Sequence, residues 1–112
     1  MMRYNAAHRG AEEDIFPYLP ASDPGVVSYT ATRWGKLLRA PRGWKGRVPT
    51  AGECYRFVLG HPHVHVCLTA PRSKAELSEN LAAVAAGPLA PEEMDFLGRS
   101  GDEVRKQQRF FL

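Results

Sequence analysis

Cysteine is scarce in this sequence: 112 residues include only Cys54 and Cys67. Two thiols exclude a disulfide-stapled scaffold and a four-cysteine zinc site. Neither has a paired catalytic base, so both are expected to be buried structural cysteines. Long apolar runs are lacking as well. None approaches the roughly 20 residues of a membrane-spanning helix. None opens the chain ahead of a small-residue cleavage site. The expectation is a cytoplasmic chain with reduced thiols, no transmembrane helix and no signal peptide. Internal repeats and low-complexity tracts are also absent.

Acid is missing from one stretch. The fifteen residues 33–47 hold Arg33, Lys36, Arg39, Arg42, Lys45 and Arg47 and no carboxylate. The net charge of the whole chain is only +3, so the imbalance is local. Such a block should attract anions, phosphate groups first. A solvated loop is the plain alternative. The chain is 44% apolar and 24% charged, which excludes a wholly disordered polypeptide. Its length allows one domain at most.

What is present is a rhythm of short strand, turn and helix, three times over. Residues 1–6 can be extended, His8-Arg9-Gly10 reads as a turn, and residues 11–16 form a short helical segment. Glu12, Glu13 and Asp14 suit its first turn and need no catalytic explanation; Pro17 and Pro20 end it. Pro24-Gly25 opens the second unit. Val26, Val27, Ser28, Tyr29 and Thr30 read as a buried strand, and the basic block follows. Thr50-Ala51-Gly52-Glu53 is a capping box. Cys54, Phe57 and Val58 then share one helix face, and Gly60 with Pro62 stops the helix.

The third unit alternates over residues 63–69. Val64, Val66 and Leu68 are expected on one face, His63, His65 and Cys67 on the other. A metal site on His61, His63, His65 and Cys67 is not expected. Pro62 distorts the run, and same-face strand residues project in parallel rather than converge on one ion. Ser73-Lys74-Ala75-Glu76 is a second capping box. Leu77, Leu81 and Val84 should line the buried face of the helix it opens. Gly87-Pro88 ends that helix, and Pro91, Glu92 and Glu93 open another, with Met94 and Leu97 buried. A separate amphipathic tail covers 102–112, either docked or frayed.

Strand–helix alternation with apolar strands argues for parallel βαβ units. Three parallel strands alone leave two unpaired edges. The expected fold class is α/β, an incomplete TIM (β/α)8 barrel. It would be its last three βα units plus C-terminal helices, with 1–112 a single partial domain. In a barrel the strand carboxyl ends carry the site, and phosphate binds the loops after the seventh and eighth strands. Those loops would hold the basic block and Arg72-Ser73, at a helix start suited to anions. Tyr29, closing its strand, offers a ring face for stacking.

At these residues the sequence resembles the C-terminal third of the aldo/keto reductases, NAD(P)H-dependent oxidoreductases. Arg3-Tyr4-Asn5-Ala6-Ala7-His8-Arg9-Gly10-Ala11-Glu12 looks like the sixth strand and its turn. Gly25-Val26-Val27-Ser28-Tyr29-Thr30 with Trp34-Gly35-Lys36-Leu37-Leu38 looks like the seventh strand and its cofactor loop. Thr69-Ala70-Pro71-Arg72-Ser73 with Leu77, Glu79 and Asn80 looks like the eighth strand and nucleotide-binding helix start. Pro88-Leu89 and Pro91-Glu92-Glu93-Met94 are similar to the closing helix.

The resemblance implies roles by position. Tyr29 would stack on the nicotinamide; Thr30, Thr32 and Arg33 would line the pyrophosphate path. Arg72 and Ser73 would hold the phosphate on the adenosine ribose, beside Ala70 where the family often has Gly. Glu79 and Asn80 would meet the adenine. Glu76 stands where many members carry Arg or Gln, so NADP and NAD both remain open. The family's catalytic Asp, Tyr, Lys and His belong to the other half of the barrel. No catalytic residue is therefore expected here; the chain would be a truncated gene product, the product of a mis-called start, or one half of a split enzyme whose other half sits on another chain. Two other readings stand beside this one. One is a nucleotide- or phosphate-binding α/β module without chemistry. The minor one is a nucleic-acid-binding protein using residues 33–47 with Arg105, Lys106, Arg109, Phe110 and Phe111, for which the total charge is small.

Overall fold

A computed structural model describes residues 1–19 and 24–107. Three strands, β1 (Met2–Arg3), β2 (Val27–Tyr29) and β3 (Val66–Cys67), form one sheet in the order β1-β2-β3. Both pairings are parallel, as the strand–helix alternation requires. Among the described residues four α-helices accompany them: α1 (Ala11–Asp14), α2 (Ala51–Leu59), α3 (Lys74–Ala85) and α4 (Pro91–Gln107). Single 3-10 turns cover Phe16–Tyr18 and Lys36–Leu38. Pro17 thus begins a turn rather than ending a helix.

The strands are shorter than the sequence suggests. Turn bonding takes the residues ahead of β3: the Val64 N–H donates to the His61 carbonyl at 3.1 Å, across Pro62. The expected alternation of residues 63–69 is corrected accordingly. Val64 is buried in the turn, whereas Val66 and Leu68 are 48% and 46% exposed. The register places Met2, Ser28 and Cys67 side by side on one face. Ser28 is fully buried there and Cys67 half-buried, with α2 packed against β3. Arg3, Val27, Tyr29 and Val66 share the other face, where Arg3, Tyr29 and Val66 are exposed. One face of a parallel sheet is therefore open, although such sheets are ordinarily covered on both.

Local signals set α2. The Glu53 N–H donates to Thr50 Oγ1 at 3.2 Å, and Glu53 Oε1 accepts the Thr50 N–H at 3.0 Å, a complete capping box. Cys54, Phe57 and Val58 are buried as their spacing requires. The α3 capping box is only half formed. Ser73 Oγ accepts the Glu76 N–H, but the Glu76 carboxylate reaches past to the Arg72 N–H. Its apolar face is also corrected: Leu77, Leu81 and Val84 are exposed, and Asn80 is buried instead. The helix lies against α2 at the small residues Gly52 and Ala83. A Cβ on Gly52 would stand 2.9 Å from that of Ala83.

The core gathers where α2, α4 and the loops meet the covered sheet face. Tyr4 packs edge-on to Phe16 and stacks on Phe57, with centroids 5.5 and 6.1 Å away. Val58, Leu37, Leu97 and Val104 complete it. The separate tail is corrected too. Residues 102–107 continue α4 without a break, while 108–112, with Arg109, Phe110 and Phe111, lie outside the described residues. Gly101 makes this continuity compatible with packing, since the helix there lies directly on the Ala6 backbone.

Candidate functional site

The chain places a cavity of about 580 Å3 at the carboxyl end of the sheet. Its walls come from the loops after β2 and β3 and from the first turns of α2 and α3. Thr32, Trp34, Gly35, Leu38 and Arg39 form one side; Pro49, Thr50, Ala51 and Tyr55 form the floor. Thr69, Ala70, Pro71 and Arg72 close the other side with Glu76, Glu79 and Asn80. Of the residues expected to bind cofactor, the cavity brings together Thr32, Ala70, Arg72, Glu79 and Asn80.

A hydrogen-bonded row fixes the far wall. Asn80 Nδ2 donates to Thr69 Oγ1 at 2.8 Å, and the Thr69 hydroxyl donates to Tyr55 Oη at 2.8 Å. Asn80 is therefore buried as a tie between α3 and the end of β3. Arg39 and Arg72 bring positive charge to the lining, while Glu76 and Glu79 oppose it.

The other expected residues are placed elsewhere. Ser73 caps α3 and does not line the cavity. Tyr29 stands on the open sheet face, 37% exposed, and lines a different cavity. Thr30 donates its hydroxyl to the Tyr29 carbonyl at 2.6 Å. Arg33 is 4% exposed, and its Nε–H donates to His8 Nε2. The single phosphate path through Thr30, Thr32 and Arg33 is thus corrected: only Thr32 lines the cavity. The reason is backbone geometry. Thr30, Arg33 and Trp34 all have positive φ, at 60°, 56° and 56°, so the loop is not extended and its successive residues do not line one path. Three left-handed non-glycine residues store strain that the surroundings must hold.

The basic block is divided rather than pooled. Arg47 donates two bonds to Glu53, at 2.8 and 2.9 Å, and its guanidinium lies 4.1 Å from the Phe96 ring centre. These bonds hold the Glu53 carboxyl below its usual range. Arg33 is withdrawn, Arg39 lines the cavity, and Lys36 with Arg39 borders a smaller hollow.

Tyr55 was not singled out by the motifs, Trp34 entered only as part of the cofactor-loop resemblance, and Arg39 only as a member of the basic block. A tryptophan in a basic loop beside Gly35 is one signal for a solvent-facing ring. Tyr55 lies one residue off the buried stripe of α2, which turns it toward the cavity rather than the core.

His61 and His63 join the aromatic packing. His61 and His63 lie 4.3 and 5.5 Å from Phe16, centre to centre, and His65 Nδ1 accepts the Val26 N–H at 3.0 Å. Among the described residues no group of three His, Cys, Asp or Glu is placed to hold a metal ion. Both cysteines are free thiols; burial pushes Cys54 up to about 12 and Cys67 to about 11. Among the described residues no helix is long and apolar enough to cross a membrane. No family model, curated protein or solved structure matches this chain.

Proposed function

We propose that this chain is the cofactor-side portion of an NAD(P)H-dependent aldo/keto reductase, an incomplete TIM barrel. Its larger cavity would hold the adenosine end of NAD or NADP. The observation that carries the reading is the convergence of Thr32, Ala70, Arg72, Glu79 and Asn80 on one cavity. They come from the loops after β2 and β3 and from α3, at the carboxyl end of parallel strands, where such folds bind nucleotides.

The residues fit a dinucleotide in part. Arg72 supplies charge for a ribose phosphate, and Trp34 and Tyr55 offer ring surface for adenine. Glu76 opposes a phosphomonoester beside Arg72, which favours NAD over NADP. When bound, the dinucleotide supplies the hydride. This chain grips and orients its adenosine end and contributes no catalytic acid. The uncovered sheet face, with Tyr29, Val66 and Leu68, and the exposed Leu77, Leu81 and Val84 of α3 support a second element covering them. In this reading that element is the remainder of the barrel, and residues 1–112 alone are inactive. A cytoplasmic location belongs to the same reading.

Calorimetric titration of the full chain with NADH and NADPH tests the proposal. Saturable binding is expected, about tenfold weaker in Arg72→Ala through loss of a charged bond. Glu76→Gln should shift preference toward NADPH. Absence of binding by both nucleotides overturns the reading. A non-catalytic nucleotide module is the second reading, favoured because Tyr29 stands outside the cavity. Equal binding of ADP and NADH would select it.

A further inference from the structure

A second cavity, about 520 Å3, opens beside β1. Arg3, His8, Tyr29 and Arg105 line it, with Met1 and Ile15 as apolar wall. We propose that this cavity is a separate anion site for a phosphate monoester carrying an apolar or aromatic body.

The argument begins with Arg33, which is almost wholly buried behind His8. Its Nε–H donates to His8 Nε2, so that nitrogen carries no proton and the ring is neutral. Burial, with the charges of Arg3, Arg33 and Arg105, holds His8 down at about 4. Those three guanidiniums come from β1, the loop after β2 and α4. Among the described residues, no carboxylate lies within 4.0 Å of any of them. Gathered like charge without a counter-charge is unfavourable, most of all where one member is buried. Burial and Arg3 together lower the Arg33 guanidinium's own proton affinity.

Asp14 of α1 is the one carboxylate among the described lining residues. Arg3 and Arg105 in the lining, with Arg33 buried behind His8, stand against it and together leave two positive charges. A phosphate monoester in its doubly charged form matches that balance, and its three oxygens accept from several guanidiniums at once. The exposed Met1 side chain and the Tyr29 ring supply surface for the ester's organic part. None of Arg3, His8, Arg33 and Arg105 lines the nucleotide cavity, so this inference does not depend on that reading.

Proton NMR of the His8 ring in the full chain tests it at low ionic strength. The probes are inorganic phosphate and phenyl phosphate, with chloride at matched ionic strength as reference. Both phosphates should bind saturably, phenyl phosphate more tightly. The negative charge of the bound phosphate should move the His8 titration upward from about 4. Arg3→Gln, at an exposed position, should weaken binding about tenfold. Arg33→Gln should do the same but removes a buried group, so Arg3→Gln carries the test if that variant fails to fold. Arg72→Gln should change nothing. A His8 signal that moves no more with phosphate than with chloride overturns the proposal. So does a loss of binding in Arg72→Gln with Arg3→Gln unaffected.

Discussion

Asn5 Nδ2 donates to the Thr30 carbonyl at 2.9 Å and ties the end of β1 to the end of β2. The same side chain accepts the N–H groups of Ala7 and His8 through Oδ1, at 2.9 and 2.8 Å. Asn5 is fully buried, and Thr30 is held at φ 60°. A β-branched residue in that conformation persists only where its surroundings hold it. One amide thereby completes the first loop and braces the strained second loop, which carries Thr32 and Trp34 to the larger cavity.

Asn5→Ala should therefore destabilise the fold by about 2–3 kcal/mol, because the buried Ala7 N–H loses its acceptor and the Thr30 carbonyl loses its donor. The urea unfolding midpoint measures this. A change below about 0.5 kcal/mol would mean that the amide braces nothing.

Gly101 and Gly98 should respond oppositely to alanine. A Cβ on Gly101 would strike the Ala6 carbonyl and stand 2.9 Å from the Ala7 nitrogen, both backbone atoms. Gly101→Ala should cost about 2 kcal/mol or more through overpacking. At Gly98 the nearest atom is the end of the Arg9 side chain, 3.3 Å away. Gly98→Ala should be neutral or stabilising by up to about 1 kcal/mol through helix propensity. Thermal unfolding of the two variants side by side is the check.

Stability should decline as pH falls from about 6.5 toward 4. The folded His8 titrates at about 4, against about 6.5 for a free imidazole. Above this window His8 is neutral in both states. Within it only the unfolded chain takes up the proton, which favours unfolding. Burial lowers His61 as well, adding slope of the same sign. In His8→Asn, melting temperature should depend less steeply on pH between 4 and 6.5. An unchanged slope would remove His8 from the account.

The two sheet faces should also differ. Val58, fully buried under the covered face, should lose about 2 kcal/mol on change to Ala. Leu68→Lys, at an exposed position, should alter stability by less than about 0.5 kcal/mol. It should also lower any self-association seen by light scattering, because it places charge on an apolar surface. A large loss of stability in Leu68→Lys would show that this face is covered in solution.

Much of the local architecture was readable from sequence. Thr50 and Glu53 mark the start of α2 because a capping box is complete within four residues. The strand–helix alternation similarly implies parallel pairing. Arg72, Ala70, Glu79 and Asn80 reached their cavity because one short loop and one helix turn carry them. The direction of Arg33 was not readable. It depends on left-handed backbone at Thr30, Arg33 and Trp34, and on His8 arriving from a distant loop. The Asn80 tie to Thr69 likewise needs two elements in contact.

Helix starts, the residues that can cap them and the parallel run of the strands were all legible before folding. Those properties rest on interactions spanning a few residues or on one repeated pattern. Packing between distant elements set Val66, Leu68, Leu77, Leu81 and Val84 outward and buried Asn80 and Ser28. An apolar stripe states what can be buried. Which stripe is buried depends on the neighbour that arrives, and small residues such as Gly52, Ala83 and Gly101 let backbones approach where larger side chains would hold them apart.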